Sequence, residues 1–524
     1  MSYCMSMECE KSAVRYTDVF TPPKLKRQTD SMSTSATSIK DTCSHVREEG
    51  CNQGGTETHG SHPCYTCHTV KSEFDHEHGQ HVDNSLILLH KISQLYQSHD
   101  LSDILISVSD KQFHAHKLIL SSSSDVFRVM LYNPSWPESR TNQLMLKEEQ
   151  ECVDVFEDFL KYMYTGGIHL THYTVLPILM LADKYNVCDL RAVCIQYMCE
   201  HLVSTTEHNH AISWLQYAQT GGHERLAAHC HQFIMYNFHK IINCKDFFQM
   251  SGAILLKYLV SSELVIPDEF TLFKGVSYWL LHQKDMLFPN GSIHNDFRNM
   301  ALEFLSNVRF PMIGPIHLSQ LKQDPLNEYF MDYFMERMLL SLNYHLGNEY
   351  TLGVPASHWQ PRNYTNEIWS TSLSIDNFMA LPLHDVHLMF FSSPVSASQA
   401  DENRCWEWSL DLFPKGIHFE RCVMIGLWRN LEICGTVYNN VRLVLTTKQP
   451  DVRKVDVAIL VRAVQDSVEY VKQVIQKHCI FDKDKQMCHF DNIVPFDELN
   501  CEDSDYLSGP QNDTFKVTII IKPV

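Results

Sequence analysis

The chain lacks any uninterrupted apolar run of roughly 20 residues, the length a helix needs to cross a bilayer. Its greasiest stretches, Ile254–Ile266 and the closing VTIIIKPV, have the size of a buried helix and a buried strand, so no membrane span is expected. An apolar secretory leader is also missing from the first residues, which scatter Lys, Arg, Asp and Glu, and the cytoplasm is the expected address. Cations are in deficit. With 43 Lys and Arg against 62 Asp and Glu, the formal charge is −19, which argues against coating a nucleic acid or an anionic membrane and favours protein partners. Cysteine is dilute: 18 in 524 residues is too few for a fold held mainly by disulfides, and most are expected to be reduced, buried thiols. The sequons Asn363-Tyr364-Thr365 and Asn512-Asp513-Thr514 matter only on the secretory route.

Signatures of catalysis are missing too. There is no Gly-x-Gly-x-x-Gly after a strand, no phosphate-binding loop ending in Gly-Lys-Ser/Thr and no His-Glu-x-x-His, so nucleotide and zincin chemistry are not expected. The 30 His and 62 acids make chance groupings unavoidable, and spacing alone shows none that converges; no enzymatic activity and no cofactor are expected. One cluster has metal-like spacing: Cys64-x2-Cys67-His68, then His76, His78 and His81, with Cys51 and His59 upstream. Such pairs can close tetrahedrally on zinc, yet no apolar ββα pattern surrounds them. An unstructured His/Cys-rich tail is the simpler reading, and no metal site is assigned.

What the chain has is length and periodicity. Its 44% hydrophobic and 20% charged residues are those of a globular protein, and its length suits about two to four cooperative units. Residues 1–80, rich in Ser, Thr, Gly and His without a period of 2 or 3.6, read as a flexible tail. Within 81–200, a helical stripe of Leu86, Ile87, Leu89, His90, Ile92 and Leu95 precedes strands at Leu101–Val108 and Lys111–Ala115. Two short helices broken at Ser121–Ser124, a strand at Gln143–Leu146 and a helical face at Val153–Tyr164 follow, the last ended by Thr165-Gly166-Gly167. Residues 201–322 read as an all-helical array whose apolar stripes, such as Leu226–Phe238, Phe247–Leu259 and Phe270–Leu281, each need a neighbouring helix. Residues 323–350 read as a connector rich in aromatics. From 351 to 524 the period is 2, predicting strands at Trp406–Phe413, Val423–Leu427, Val441–Thr446, Val457–Val461 and Phe515–Lys522, with one helix inserted at Tyr470–His478.

The string LSDILISVSDKQFHAHKLIL at Leu101–Leu120 resembles the opening of a BTB/POZ domain. The family's later pieces follow in order: Phe127, Met130, Phe156, Tyr162, Tyr164-Thr165-Gly166 and Leu181-Ala182-Asp183-Lys184-Tyr185. Phe273-Lys274-Gly275-Val276-Ser277-Tyr278-Trp279-Leu280 and Val308-Arg309-Phe310-Pro311-Met312-Ile313 resemble a BACK domain, and Trp406–Gly416 looks like part of a MATH/TRAF-like β-sandwich. No blade-length repeat of the kelch kind follows. The resemblance implies a multidomain fold: a mixed α/β BTB/POZ domain, an all-helical BACK domain and a C-terminal β-sandwich.

It also implies partners. Members of this family dimerise through the first helix, here Leu86, Leu89 and Ile92, with Asp103 and Lys117 matching a pair near the dimer surface. Many recruit cullin-3 through an apolar-x-Glu element after the helix that ends near Met130, and Trp136-Pro137-Glu138 falls there. Trp136 would be an aromatic anchor and Glu138 a charged locator. A blander alternative has Trp136 simply covering the domain's own core. Trp279 reads as core; Trp406 and Trp408 share a strand face and serve either the sandwich core or a peptide groove; His114 and His116 are expected to be structural. The function implied is a non-catalytic adaptor, a homodimer acting as the substrate-recognition subunit of a cullin-3 RING E3 ubiquitin ligase, with an unknown protein substrate held by the C-terminal domain. A BTB-mediated scaffold without cullin, and a secreted glycoprotein whose start lies upstream, stand as alternatives.

Overall fold

The computed structural model describes residues 82–524 apart from 204–208, 288–294, 349–352, 383–384, 417–440, 450–452, 502–503 and 510–512. The His/Cys-rich tail, the strand expected at Val423–Leu427 and the Asn512 sequon lie outside the described residues. Helix α1 (Ser85–Ser98) opens the described chain, followed by β1 (Ile104–Val108) and β2 (Lys111–Ala115). Ile104, Ile106 and Val108 alternate with Leu105 and Ser107, and they point into a core that excludes water. The strand starts three residues later than the pattern predicts, because Leu101 holds a left-handed φ of 62° and is exposed. Helices α2 (Lys117–Ser123) and α3 (Asp125–Tyr132) break where Ser124 caps α3 by accepting from the Phe127 N–H. Strand β3 (Gln143–Leu146) runs parallel to β1, giving a sheet ordered β2-β1-β3. Helix α4 (Gln150–Thr165) stops at Gly166, whose φ of 65° lets its N–H reach back to Tyr162 O. Helices α5 (Val175–Lys184) and α6 (Cys188–Glu200) complete the mixed α/β region.

The middle region is helical: α7 (Ala211–Gly221), α8 (Glu224–Tyr236), α9 (Phe238–Ile241), α10 (Gly252–Val260), α11 (Glu269–Leu287), α12 (Asn295–Leu305) and α13 (Pro315–Gln320). A two-residue strand, β4 (Val265–Ile266), interrupts it. Trp279 is buried, with its indole N–H donating to Met250 O, as a core residue should be. The stretch read as a connector is instead helix α14 (Asn327–His345), whose Phe330, Phe334 and Met338 enter the same core. That core runs without a break from Ile104 of β1 to Met338, so the α/β and helical regions share one interior.

The C-terminal region is β-rich. It contains β5 (Asn363–Tyr364), β6 (Ser370–Ile375), β7 (His387–Pro394), β8 (Cys405–Phe413), β9 (Arg442–Thr446), β10 (Arg453–Gln465), β11 (Val468–Phe481), β12 (Met487–Phe490), the helical turn α15 (Phe496–Leu499), β13 (Leu507–Ser508) and β14 (Thr514–Pro523). One sheet runs β11-β10-β14-β13, with β6 also on β14, and the other runs β12-β9-β8-β7. Trp408, Leu410 and Leu412 of the second sheet meet Val457, Ile459, Val517, Ile519 and Ile521 of the first in a sandwich core. The other face of the first sheet, with Ala458, Leu460 and Ile520, packs into the helical core. Burial on both faces explains why β14 reads as a continuous apolar run.

The helix expected at Tyr470–His478 is a correction: those residues lie within β11, paired antiparallel to β10. Val471 and Val474 serve the helical core while Ile475, Cys479 and Phe481 serve the sandwich core. A register shift at Val461/Arg462 moves the partner strand out of step. Two-sided burial with a bulge leaves Val471, Ile475 and Cys479 four residues apart, which mimics a helix. Cys479 of β11 and Cys488 of β12 form a buried disulfide that ties the two sheets together.

Candidate functional site

The residues singled out in the α/β region lie on helix α1, at the β2–α2 junction and in the loop after α3. No residue of α1 is buried; Leu86 is 78% and Leu89 44% exposed, whereas Ile92 is half-buried and packs, with Leu95 and Tyr96, on the helix behind it. The Tyr96 ring lies tilted against Tyr164, centre to centre at 5.3 Å, and burial, with Glu157 and Asp158 nearby, pushes its phenol up to about 12. The helix is thus fixed by one face and leaves the other open. Of the residues expected at a dimer interface, Leu86 and Leu89 are on that open face and Ile92 is turned inward.

Asp103 and Lys117 are neighbours, but their charges do not meet. The Asp103 carboxylate accepts from the Lys117 backbone N–H at 2.8 Å, capping α2, while the Lys117 ammonium donates to Asn142 Oδ1 at 3.1 Å and Thr141 O at 3.3 Å. His116 is structural: its backbone N–H donates to the Tyr164 hydroxyl at 3.0 Å, and its ring nitrogens face that hydroxyl and Asp100 O. His114 lies against His99, ring to ring at 5.3 Å.

After α3 the chain makes a loop and a 3-10 turn at Pro137–Arg140. Pro137 suits the first position of the turn, since its fixed φ is already helical and it has no N–H to leave unpaired. Asn133 O accepts from the Trp136 N–H, and Trp136 O accepts from both the N–H and the hydroxyl of Ser139. Arg140 closes the loop by donating to Pro134 O at 3.2 Å. With its backbone held at both ends, the Trp136 side chain is 44% exposed. Met130 is half-buried against the core behind it. Glu138 is half-buried, and its Oε2 is shielded from water without a hydrogen-bond partner. A carboxylate oxygen in that state gains from any donor brought to it. The structure therefore groups Met130, Trp136, Pro137 and Glu138 on one edge of the α/β region, with the tryptophan outward rather than covering the core.

The second site is a joint that sequence reading missed. Glu269 at the start of α11 is fully buried; it accepts from Arg362 Nε at 3.0 Å, the Arg309 N–H at 2.8 Å and the Tyr364 hydroxyl at 2.6 Å. Arg362 also donates to Ser261 O and Asn307 O, and Arg309 to Gln360 O and the Ser262 hydroxyl. Beside them β5 pairs in parallel with β4, Asn363 donates to Glu263 O, and the Lys522 ammonium reaches Asn363 Oδ1 and Ser262 O. Burial disfavours the Glu269 charge, but the Arg362 and Arg309 cations and the bonds it accepts outweigh burial and hold it below the ordinary range. Burial also pushes Lys522 down to about 8 and, with Arg362 adjacent, Arg309 down to about 10. Further along, the Asn237 side chain bonds both backbone groups of Val471. The helical region and the β-sandwich are therefore clasped, and the sequon asparagine Asn363 is inside the clasp. Arg309 lies 40 positions from Glu269 and Arg362 lies 93, and no local pattern marks them.

In the sandwich, Trp408 is buried and donates to the Ser393 hydroxyl at 2.9 Å, while Trp406 is half-buried at the rim. The Arg453 guanidinium lies 5.5 and 5.9 Å from their ring centres. Among the described residues β7 ends its sheet, and it exposes Leu388 and Phe390. No described helix is long and apolar enough to cross a membrane, and no His, Cys, Asp or Glu group able to hold a metal is found among the described residues.

Comparison with known proteins agrees with this layout. The BTB/POZ domain family model matches residues 92–202, BTB And C-terminal Kelch matches 211–323, and the BTBD17 TRAF domain matches 359–524. BTB/POZ domain-containing protein 17 of Xenopus laevis is 26% identical over 347 residues, 64% of this chain and 69% of that protein. Galectin-3-binding protein of Mesocricetus auratus is 26% identical over 306 residues, covering 56% of this chain and 50% of its own. Kelch-like protein 24 of Homo sapiens is 26% identical over 249 residues, 47% and 38% of the two chains. The chain has a BTB/POZ–BACK architecture with a C-terminal TRAF-like domain, and in this it resembles BTB/POZ domain-containing protein 17.

Proposed function

We propose that this protein is a cytoplasmic, homodimeric adaptor that recruits cullin-3 and so serves as a substrate-recognition subunit of a RING E3 ubiquitin ligase. Its domain architecture is one typical of non-catalytic protein-interaction adaptors. The open face of α1, with Leu86 and Leu89, pairs with that of a second copy, flanked by Ile92, Asp103 and Lys117. The cullin is held by Met130, Trp136, Pro137 and Glu138. The observation that carries this reading is the 44% exposed Trp136 on a turn whose backbone is already bonded, beside a carboxylate oxygen with no partner of its own. Such preorganisation lowers the ordering cost of binding. The sandwich takes the protein substrate, with the β7 edge and its exposed Phe390 as the strand-pairing surface. Two such domains on one dimer raise the effective concentration for a second contact. In a titration of the full chain with the N-terminal region of cullin-3, replacing Trp136 and Glu138 together by Ala weakens binding at least about tenfold, or about 1.4 kcal/mol. Equal binding by wild type and variant, or by neither, removes the role and leaves a BTB scaffold without cullin.

The Cys479–Cys488 disulfide favours a second reading, in which the chain matures in an oxidising, secretory compartment. Peptide mapping of native protein without reductant distinguishes the two: a linked Cys479–Cys488 peptide supports it, and two free thiols remove its basis. Asn363, fully buried and bonded to Glu263 and Lys522, cannot carry a glycan in this fold under either reading.

A further inference from the structure

Helix α14 has two sides of different character. Phe330, Phe334, Met338, Ser341 and His345 are buried. Every exposed position of the helix is either acidic or apolar: Glu328, Asp332 and Glu336 on the one hand, Met331, Met335, Leu339 and Leu342 on the other. The apolar set begins just past the kink at Phe330 and continues into exposed Leu346, spaced four, four, three and four residues apart. On a helix that spacing makes one stripe about 22 Å long, at 1.5 Å rise per residue. Glu328, Asp332 and Glu336 recur every four residues along its flank. The cation on this helix, Arg337, is laid over the Tyr333 ring and bonded to Glu336, and adds no open positive charge.

An exposed stripe of Met and Leu bordered by acids on a soluble helix has a complement, namely a second helix with a matching apolar face and Lys or Arg beside it. Methionine adapts its shape to varied apolar partners, which suits a receiving surface. Self-pairing of α14 between copies sets acid against acid in a chain of formal charge −19, and an anionic lipid surface is repelled by the same carboxylates. We propose that the outward face of α14 is a docking site for a basic amphipathic helix of a partner protein. In the chain it follows the helical region and precedes the sandwich, shares no residue with the Trp136 loop, and stands whether or not that loop binds a cullin.

The test uses the full chain and two labelled synthetic peptides of about five helical turns, one with leucines at helical spacing and lysine flanks, the other with glutamate in place of every lysine. Fluorescence anisotropy at about 0.1 M salt should show the lysine peptide binding at least about tenfold more tightly than its counterpart. Met335→Ser with Leu339→Ser leaves the net charge unchanged and should weaken lysine-peptide binding at least about tenfold, with circular dichroism as in wild type. Glu328→Lys, Asp332→Lys and Glu336→Lys together should invert the preference toward the glutamate peptide. Undiminished binding by the double serine variant marks general charge attraction and overturns the site. So does a failure of the wild type to bind the lysine peptide, or a concentration-dependent mass increase that the serine variant abolishes, which assigns the stripe to a second copy.

Discussion

The Trp136 loop and the Glu269 clasp treat polar groups in opposite ways. Around Trp136 the backbone is bonded to itself while a large aromatic side chain faces water and a carboxylate oxygen has no partner. Around Glu269 every charge is buried and each has several partners drawn from both regions. A surface that expects a visitor keeps its side chains unsatisfied on a rigid frame; a joint meant to stay shut satisfies everything inside it. The difference assigns mobility and stability to different places. The sandwich does not swing on a linker from the helical region, so its distance from the α/β edge is set by the fold.

Substitutions should separate the two regions, and the largest effect belongs to the clasp. Glu269→Ala leaves two guanidinium groups buried without their anion and should cost about 3–5 kcal/mol in chemical denaturation. The matching Glu269→Gln variant gives the pH sign. Because the folded carboxyl titrates below the ordinary 4.5, its contribution is fully present above that value and is lost as pH falls through the folded pKa. The stability gap between wild type and variant should therefore narrow on acidification. Lys522 gives the same sign in a more alkaline window and from the opposite cause, burial that disfavours its charge: depressed to about 8 from 10.5, it makes the folded state gain stability as pH rises between those values, and Lys522→Met should flatten that rise.

On the open side, Leu86→Asp with Leu89→Asp should convert a dimer to a monomer in light scattering of the full chain while leaving its circular dichroism as in wild type, since neither residue is buried. A dimer that survives the change moves the interface elsewhere. The smallest effect is expected at Pro137→Ala, which frees the unfolded chain at the head of the 3-10 turn and should cost about 0.4–1 kcal/mol.

The parts of the molecule governed by local rules were legible in the sequence. Alternation at Ile104–Val108, the serine break at Ser121–Ser124 and Gly166 each act within a few residues, and the structure follows them. The Trp136 loop was located through the family resemblance rather than through a local rule, and the 3-10 turn at Pro137–Arg140 within it was not anticipated. Where an element serves two interiors at once, periodicity fails: β11 feeds Val471 to one core and Phe481 to the other and so looked helical. Helix α14 was mistaken for a connector because its exposed positions are nearly as apolar as its buried ones, although Met331, Met335 and Leu339 at four-residue steps carried the signal. The clasp joins Glu269, Arg309, Arg362 and Lys522 from distant segments, and only the folded chain brings them together.

The central claim is that the Trp136 edge is the part another protein grips. Hydrogen exchange of the full chain, followed by mass spectrometry with and without the cullin-3 N-terminal region, addresses it directly. Slowed exchange concentrated at Met130 and residues 133–141, with the Glu269 clasp unchanged, is the predicted result. Unaltered exchange at those residues while the cullin fragment is bound would contradict it.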